Sequence, residues 1–250
     1  MKFSCKTQIV LWMVAVIFMI SGMPVPTLSQ SSLLPIDIAI LEDPLDVLRL
    51  VNRDNLLDKD YPDQTIDMDK LENVTLPVTK GSHQLRPVAN AALEELFKAA
   101  AAEGMELYVG SSYRRYRNQE VIYYNRVKRM GYDDGYSQMA GASEHQMGLA
   151  ADVVSAEYAD LFQTEFGETP EGIWLRENCA RFGFIIRYPE DKTDITGVRY
   201  EPWHLRYVGP EAAAYIMEND LTLEEFSALR IIALGEYYGD ALALEDESEP

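Results

Sequence analysis

Between residues 85 and 104 the apolar positions Val88, Ala91, Leu93, Leu96, Phe97 and Ala100 recur at near-helical spacing. Pro87 suits a first helical turn, where the amide it lacks would have no partner, and Gly104 suits a stop. The pattern predicts a helix over 87–103. The period then changes: residues 105–112 (MELYVGSS) alternate apolar and polar as a half-buried strand does. A second helix is predicted over 117–130, and residues 131–142 read as a Gly/Asp-rich loop. Residues 148–154 and 183–189 read as strands, with a helix over 173–181 between them that offers Ile173, Trp174, Cys179 and Ala180 to the core. Residues 155–170 read as a polar insert. A last strand region covers 198–205, and Pro210 with Glu211 opens a helix to about 218. Strands and helices do not alternate strictly, which predicts an α+β fold, a small antiparallel sheet packed by several helices, and disfavours a doubly wound parallel sheet.

The two ends read differently. Lys2 and Lys6 precede an unbroken apolar run of 12 residues, 9–20, closed by Pro24 and Pro26. The run falls short of the roughly 20 residues a spanning helix needs and matches the apolar segment of an export signal. Residues 1–29 are therefore expected to be a signal peptide or an uncleaved N-terminal anchor. In either form the rest of the chain is extracytoplasmic, secreted or tethered at the cell surface. Residues 30–46 read as a linker. Residues 228–238 could continue as one more helix, and the acidic end, 245–250, reads as disordered.

Charge narrows the classes. The 250-residue chain carries 41 acidic and 22 basic residues, a net charge of −19. That argues against nucleic acid, whose phosphates demand cations, and against simple electrostatic docking on anionic lipid. Of the two cysteines, Cys5 lies in the leader; Cys179 sits in a helical pattern with no nearby histidine and reads as a small buried hydrophobe, not a nucleophile.

Only three histidines are present, His83, His145 and His204. His83 reads as a solvated loop residue. His145 and Asp152 lie seven positions apart, with small residues and Gly148 between them, and His204 lies in Glu201-Pro-Trp-His204. Two imidazoles and one carboxylate are zinc-type ligands that leave a coordination position open, and Glu201, three residues before His204, is a candidate base. An odd separation along a straight strand would put His145 and Asp152 on opposite faces. His145 is therefore placed on the loop before the strand and Asp152 within it, with Gly148 allowing the bend.

The pattern Ser143-x-His145-x-x-Gly148-x-Ala150-x-Asp152, followed by Glu201-Pro-Trp-His204, resembles the zinc D-alanyl-D-alanine carboxypeptidases of the VanY type. Residues 111–119, with Ser111, Tyr113, Arg114 and Gln119, match a further block in the same order, and the resemblance spans about 47–227. It implies a carboxypeptidase domain over that range and one zinc ion held by His145, Asp152 and His204. It further implies Glu201 as base, Arg114 as the group steadying the charged intermediate, and Gln119, Ser143, Tyr188 and Trp203 around the substrate. The implied partner is a peptidoglycan stem peptide, with no nucleic acid and no membrane contact beyond the leader. An L,D-carboxypeptidase, an endopeptidase and a catalytically silent, wall-binding zinc domain remain as alternatives. The oligomeric state is not legible.

Overall fold

The computed structural model describes residues 38–61, 71–159 and 162–246. The expected leader and residues 247–250 of the acidic end lie outside them. Residues 43–227 form one compact unit; the described residues 38–42 and 228–246 belong to a second, where Arg230 donates to the carbonyl of Leu41 at 2.8 and 2.6 Å. Among the described residues no helix is long and apolar enough to cross a membrane.

A two-stranded antiparallel ribbon, β1 (Glu72–Asn73) with β2 (Gln84–Leu85), precedes α1 (Pro87–Ala102). Helix α1 buries Ala89, Asn90, Leu93, Leu96, Phe97 and Ala100. Ala91, expected in the stripe, is exposed, because the buried face is turned one position toward Ala89 and Asn90. Then come β3 (Tyr108–Ser111), α2 (Tyr116–Met130), β4 (Ala150–Val154), α3 (Pro170–Asn178), β5 (Phe184–Ile186), β6 (His204–Tyr207), α4 (Pro210–Glu218) and α5 (Leu223–Asp246). The second sheet is antiparallel throughout, in the order β3-β4-β6-β5, the α+β arrangement expected.

Four stretches differ from the sequence pattern, each for a local reason. Helix α3 begins at Pro170, not 173, because the Thr169 hydroxyl accepts the Gly172 amide at 3.1 Å and proline fits the first turn. The stretch 155–170 is not simply a polar insert: residues 156–158 and 164–168 form short turns, and the second delivers Phe166 to the core with no exposed surface. The strand expected over 198–205 starts only at His204. Pro202 has no amide to give a ladder, and residues 201–203 turn, with the His204 amide donating to the Glu201 carbonyl at 3.1 Å. Helix α5 starts five residues before the expected position, on a reciprocal cap: the Glu225 amide donates to the Thr222 hydroxyl at 3.1 Å and the Thr222 amide to the Glu225 carboxylate at 2.8 Å.

The sheet's two faces have different jobs. Ala151, Val153, Phe184, Ile186, Leu205 and Tyr207 join one apolar core with Leu93, Leu96 and Phe97 of α1. The alternate positions put Asp152, Arg187, His204 and Arg206 on the other face, and these are buried too. A buried face carrying that much charge has to be paired internally or aimed at a ligand.

Candidate functional site

Asp152 and His204 are direct register partners on β4 and β6, so the sheet alone brings a carboxylate and an imidazole side by side across 52 residues of sequence. The His204 Nδ1 lies 2.8 Å from Asp152 Oδ1. His145 arrives from a 3-10 turn, Glu144–Met147, whose residues are all buried. Gly148 ends that turn with φ 67, a left-handed conformation in which glycine carries no steric cost, and the chain then enters β4. The bend places the His145 Nε2 3.3 Å from Asp152 Oδ2, and the two imidazoles meet edge to face at 5.0 Å. Nδ1 of His145 lies 2.8 Å from the Ser112 carbonyl. As donor to that carbonyl it leaves Nε2 as the free lone pair. Ligand atoms of His145, Asp152 and His204 all fall within 4.8 Å of one another, and this donor set of two nitrogens and one oxygen fits a metal ion such as zinc.

The surroundings set the charge states. Burial lowers the His145 pKa, which favours the neutral, ligating imidazole. Burial would raise the Asp152 carboxyl, but the two histidines overcome it and hold the group well below the usual carboxylate range. For His204, burial opposes the charged form, yet the hydrogen bond to Asp152 and the nearby Glu144 carboxylate carry the imidazole up to about 9.

The three ligands lie in a pocket of about 310 Å³ that Arg114, Gln119, Ser143, Tyr188, Glu201 and Trp203 also line. Burial pushes the Glu201 carboxyl up to about 7, the range of a usable base. Arg114 is fixed at three points: its amide donates to the His145 carbonyl at 3.0 Å, Nη1 to Gln119 Oε1 at 2.8 Å and Nη2 to Ser111 Oγ at 2.6 Å. Gln119 is itself buried and donates to the Gln138 carbonyl, so its amide is engaged in orienting the guanidinium. The Tyr188 ring lies 5.1 Å from that of His204, with the Arg187 guanidinium 4.8 Å from its centre. His83 is a loop residue outside the metal-type cluster, as expected, but half-buried, with Nδ1 3.1 Å from the Ser112 hydroxyl and Nε2 3.1 Å from the Lys80 carbonyl. Cys179 is fully buried with its thiol pushed up to about 12, which agrees with an unreactive hydrophobe.

One functional side chain escaped the sequence pattern. Glu144 is buried, and its Oε2 faces His204 Nε2 at 3.5 Å; neither atom has a hydrogen-bond partner within normal reach. Its other oxygen accepts from Arg187 Nε at 2.7 Å and Arg206 Nη1 at 2.6 Å. Burial would raise this carboxyl, but Arg206 and Arg187 hold it well below the usual range. Glu144 thus places a charged carboxylate against the His204 ring on the side of Nε2, away from Asp152. Its place beside His145 was the one available signal; its arginine partners lie 43 and 62 residues away.

With that geometry in view, the comparisons with known proteins agree. The VanY family, described as D-alanyl-D-alanine carboxypeptidase, matches residues 82–210. YodJ of Bacillus subtilis is 41% identical over 188 residues, which cover 74% of this chain and 68% of that one. The structure of the LdcB LD-carboxypeptidase superposes with a TM-score of 0.67 at 40% identity, covering 74% of this chain and 87% of LdcB. A variant of the D,D-pentapeptidase VanY from a VanB-type vancomycin-resistance cassette, solved with Zn(II), gives 0.58 at 38% identity, covering 72% and 98%.

Proposed function

The chain belongs to the VanY D-alanyl-D-alanine carboxypeptidase family, and from that premise we propose that it is a zinc-dependent carboxypeptidase releasing D-alanine from peptidoglycan stem peptides. One observation carries the reading: the Asp152–His204 register pair, with His145 beside it, shares a pocket with a desolvated carboxyl and a fixed guanidinium. His145, Asp152 and His204 would hold one zinc ion, which when bound would supply Lewis acidity and lower the pKa of water toward neutrality. Glu201 takes the proton of the attacking water and returns it to the leaving amine; a carboxyl near 7 suits both transfers. Arg114 donates to the scissile carbonyl oxygen as it gains charge, and its fixed orientation means that little reorganisation is needed at that moment. Gln119 acts through Arg114, while Ser143, Tyr188 and Trp203 border the terminal residue. The working domain spans 47–227. Its substrate lies outside the cytoplasmic membrane, which places the domain there, with residues 1–29 as leader or anchor.

A second reading is an L,D-carboxypeptidase acting on tetrapeptide stems, favoured by the likeness to LdcB. A silent wall-binding domain would have no use for Glu201 and Arg114 together. The test is incubation of the purified chain with matched pentapeptide and tetrapeptide stems, with and without a chelator, read by mass spectrometry. Chelator-sensitive loss of D-alanine from the pentapeptide is expected. Loss from the tetrapeptide alone moves the assignment to the L,D class, and no cleavage by zinc-loaded protein overturns the carboxypeptidase reading.

A further inference from the structure

One side of the pocket is an apolar wall built around a missing side chain. Gly110 is the bulged residue of β3: the pairing passes from Val109↔Val153 to Ser111↔Asp152 around it. Its backbone is outside the left-handed region, so a side chain there would be tolerated by the main chain. Space is what excludes one. A Cβ on residue 110 would lie 2.8 Å from Cζ and 3.0 Å from Cε1 of Phe162. Phe162 in turn has φ 44, a left-handed backbone that a bulky residue keeps only where its surroundings hold it. Its ring meets Trp203 edge to face at 5.9 Å.

Position argues that this ring is more than filling. Phe166, four residues on, has no exposed surface and belongs to the main core. Phe162 is only half-buried and lines the pocket with Gly110 and Trp203. Trp203 precedes the ligand His204, and Ser111, next to Gly110, accepts from the Arg114 guanidinium. The wall therefore borders both the metal-ligand strand and the fixed arginine, and it lines the pocket that a bound terminal residue would enter.

The geometry points to Phe162, seated in the bulge at Gly110 and backed by Trp203, as the residue that limits side-chain size beside the metal ligands: a methyl-sized side chain is accepted and a bulky one excluded. This rests on the carboxypeptidase reading and deepens it to a selection for alanine-sized termini.

The test compares the zinc-loaded full chain with its Phe162→Ala, Gly110→Ala and Gly110→Ala/Phe162→Ala variants on two pentapeptide stems, one ending in D-alanine and one in D-leucine. Phe162→Ala is expected to raise the leucine-to-alanine ratio of kcat/KM by roughly tenfold or more, the scale of discrimination available to an apolar pocket, with zinc content unchanged. Gly110→Ala displaces the ring and lowers kcat/KM on the alanine stem; removing the ring in the double variant restores part of that loss. A ratio within about twofold of wild type, with additive losses in the double variant, overturns the proposal. Should the zinc-loaded wild type release nothing from either pentapeptide stem, the D,D-carboxypeptidase reading fails. The wall is then read from the ratio of dissociation constants for the two peptides on Glu201→Gln protein with and without Phe162→Ala.

Discussion

Two clusters of buried charge lie back to back across His204, and they are built on opposite plans. Behind the ring, Glu144, Glu224, Arg187 and Arg206 form a closed set of two carboxylates and two guanidiniums. Arg187 gives one bond of 2.7 Å to Glu144 and two, of 2.8 and 2.6 Å, to Glu224. Arg206 bonds Glu144 and also the carbonyls of Val47 and Arg49 at 2.8 and 2.9 Å. In front, Asp152 lies between two imidazoles, with Glu201 and Arg114 turned toward open volume. A closed set balances its own charges and fixes geometry; an open set facing a pocket keeps capacity for something outside the chain. The difference teaches where to look for chemistry: among buried charges, the unbalanced side of the imidazole is the working side.

The comparison can be broken from either side. The largest effect is expected from His204→Ala, which removes a ligand from the open set: bound zinc, counted by elemental analysis, falls toward zero and peptide release becomes undetectable. Glu201→Ala separates chemistry from metal binding, keeping zinc while lowering kcat by roughly 10²–10⁴-fold; retention of full activity would show that the base is another group. On the closed side, Arg187→Met leaves Glu224 without the guanidinium that bonds it twice and leaves Glu144 with Arg206 alone. The expected cost is about 3–5 kcal/mol, seen as a melting point lower by roughly 10 °C in protein that still adopts the fold. A melting point unchanged within about 2 °C would mean the closed set is dispensable.

The smallest effect belongs to an exposed pair, Arg53–Asp133 at 2.6 Å. Asp133→Asn is expected to cost no more than about 0.5 kcal/mol at neutral pH. Hydrogen bonding to Arg53 leads the causes that hold the Asp133 carboxyl down to about 2 from an ordinary 3.8. Its contribution is therefore present above 3.8 and fades as pH falls toward 2. Urea melts of the two proteins should converge over that window; a gap that widened on acidification would refute the assignment.

How far the sequence could be read follows from the range of each interaction. Helix α1 and the position of His145 ahead of β4 were legible, because apolar period, Pro87 and Gly148 are local signals. So were His145, Asp152 and His204, whose residue types are few in the chain and whose spacing fits metal chemistry. The start of α3 lies inside a stretch that reads as a polar insert, because its signal is the single Thr169 cap. The start of α5 rests on the capping pair Thr222 and Glu225, a local signal that precedes the apolar pattern of 228–238. Glu144 and Phe162 are not legible as parts of the site, since nothing adjacent to them in sequence names Arg187 or Gly110.

By itself, then, the chain determined the element types, the α+β class and the residues able to ligate a metal, because helix caps, strand alternation and imidazole chemistry depend on neighbours a few positions apart. Tertiary structure alone decided which charges close on one another and which remain open. Pairing β6 with β4 set Asp152 opposite His204, and the same register put Arg206 within reach of Glu144. The bulge at Gly110 made room for a ring from a segment more than fifty residues away. Register and burial are properties of the packed sheet, and no local pattern specifies them.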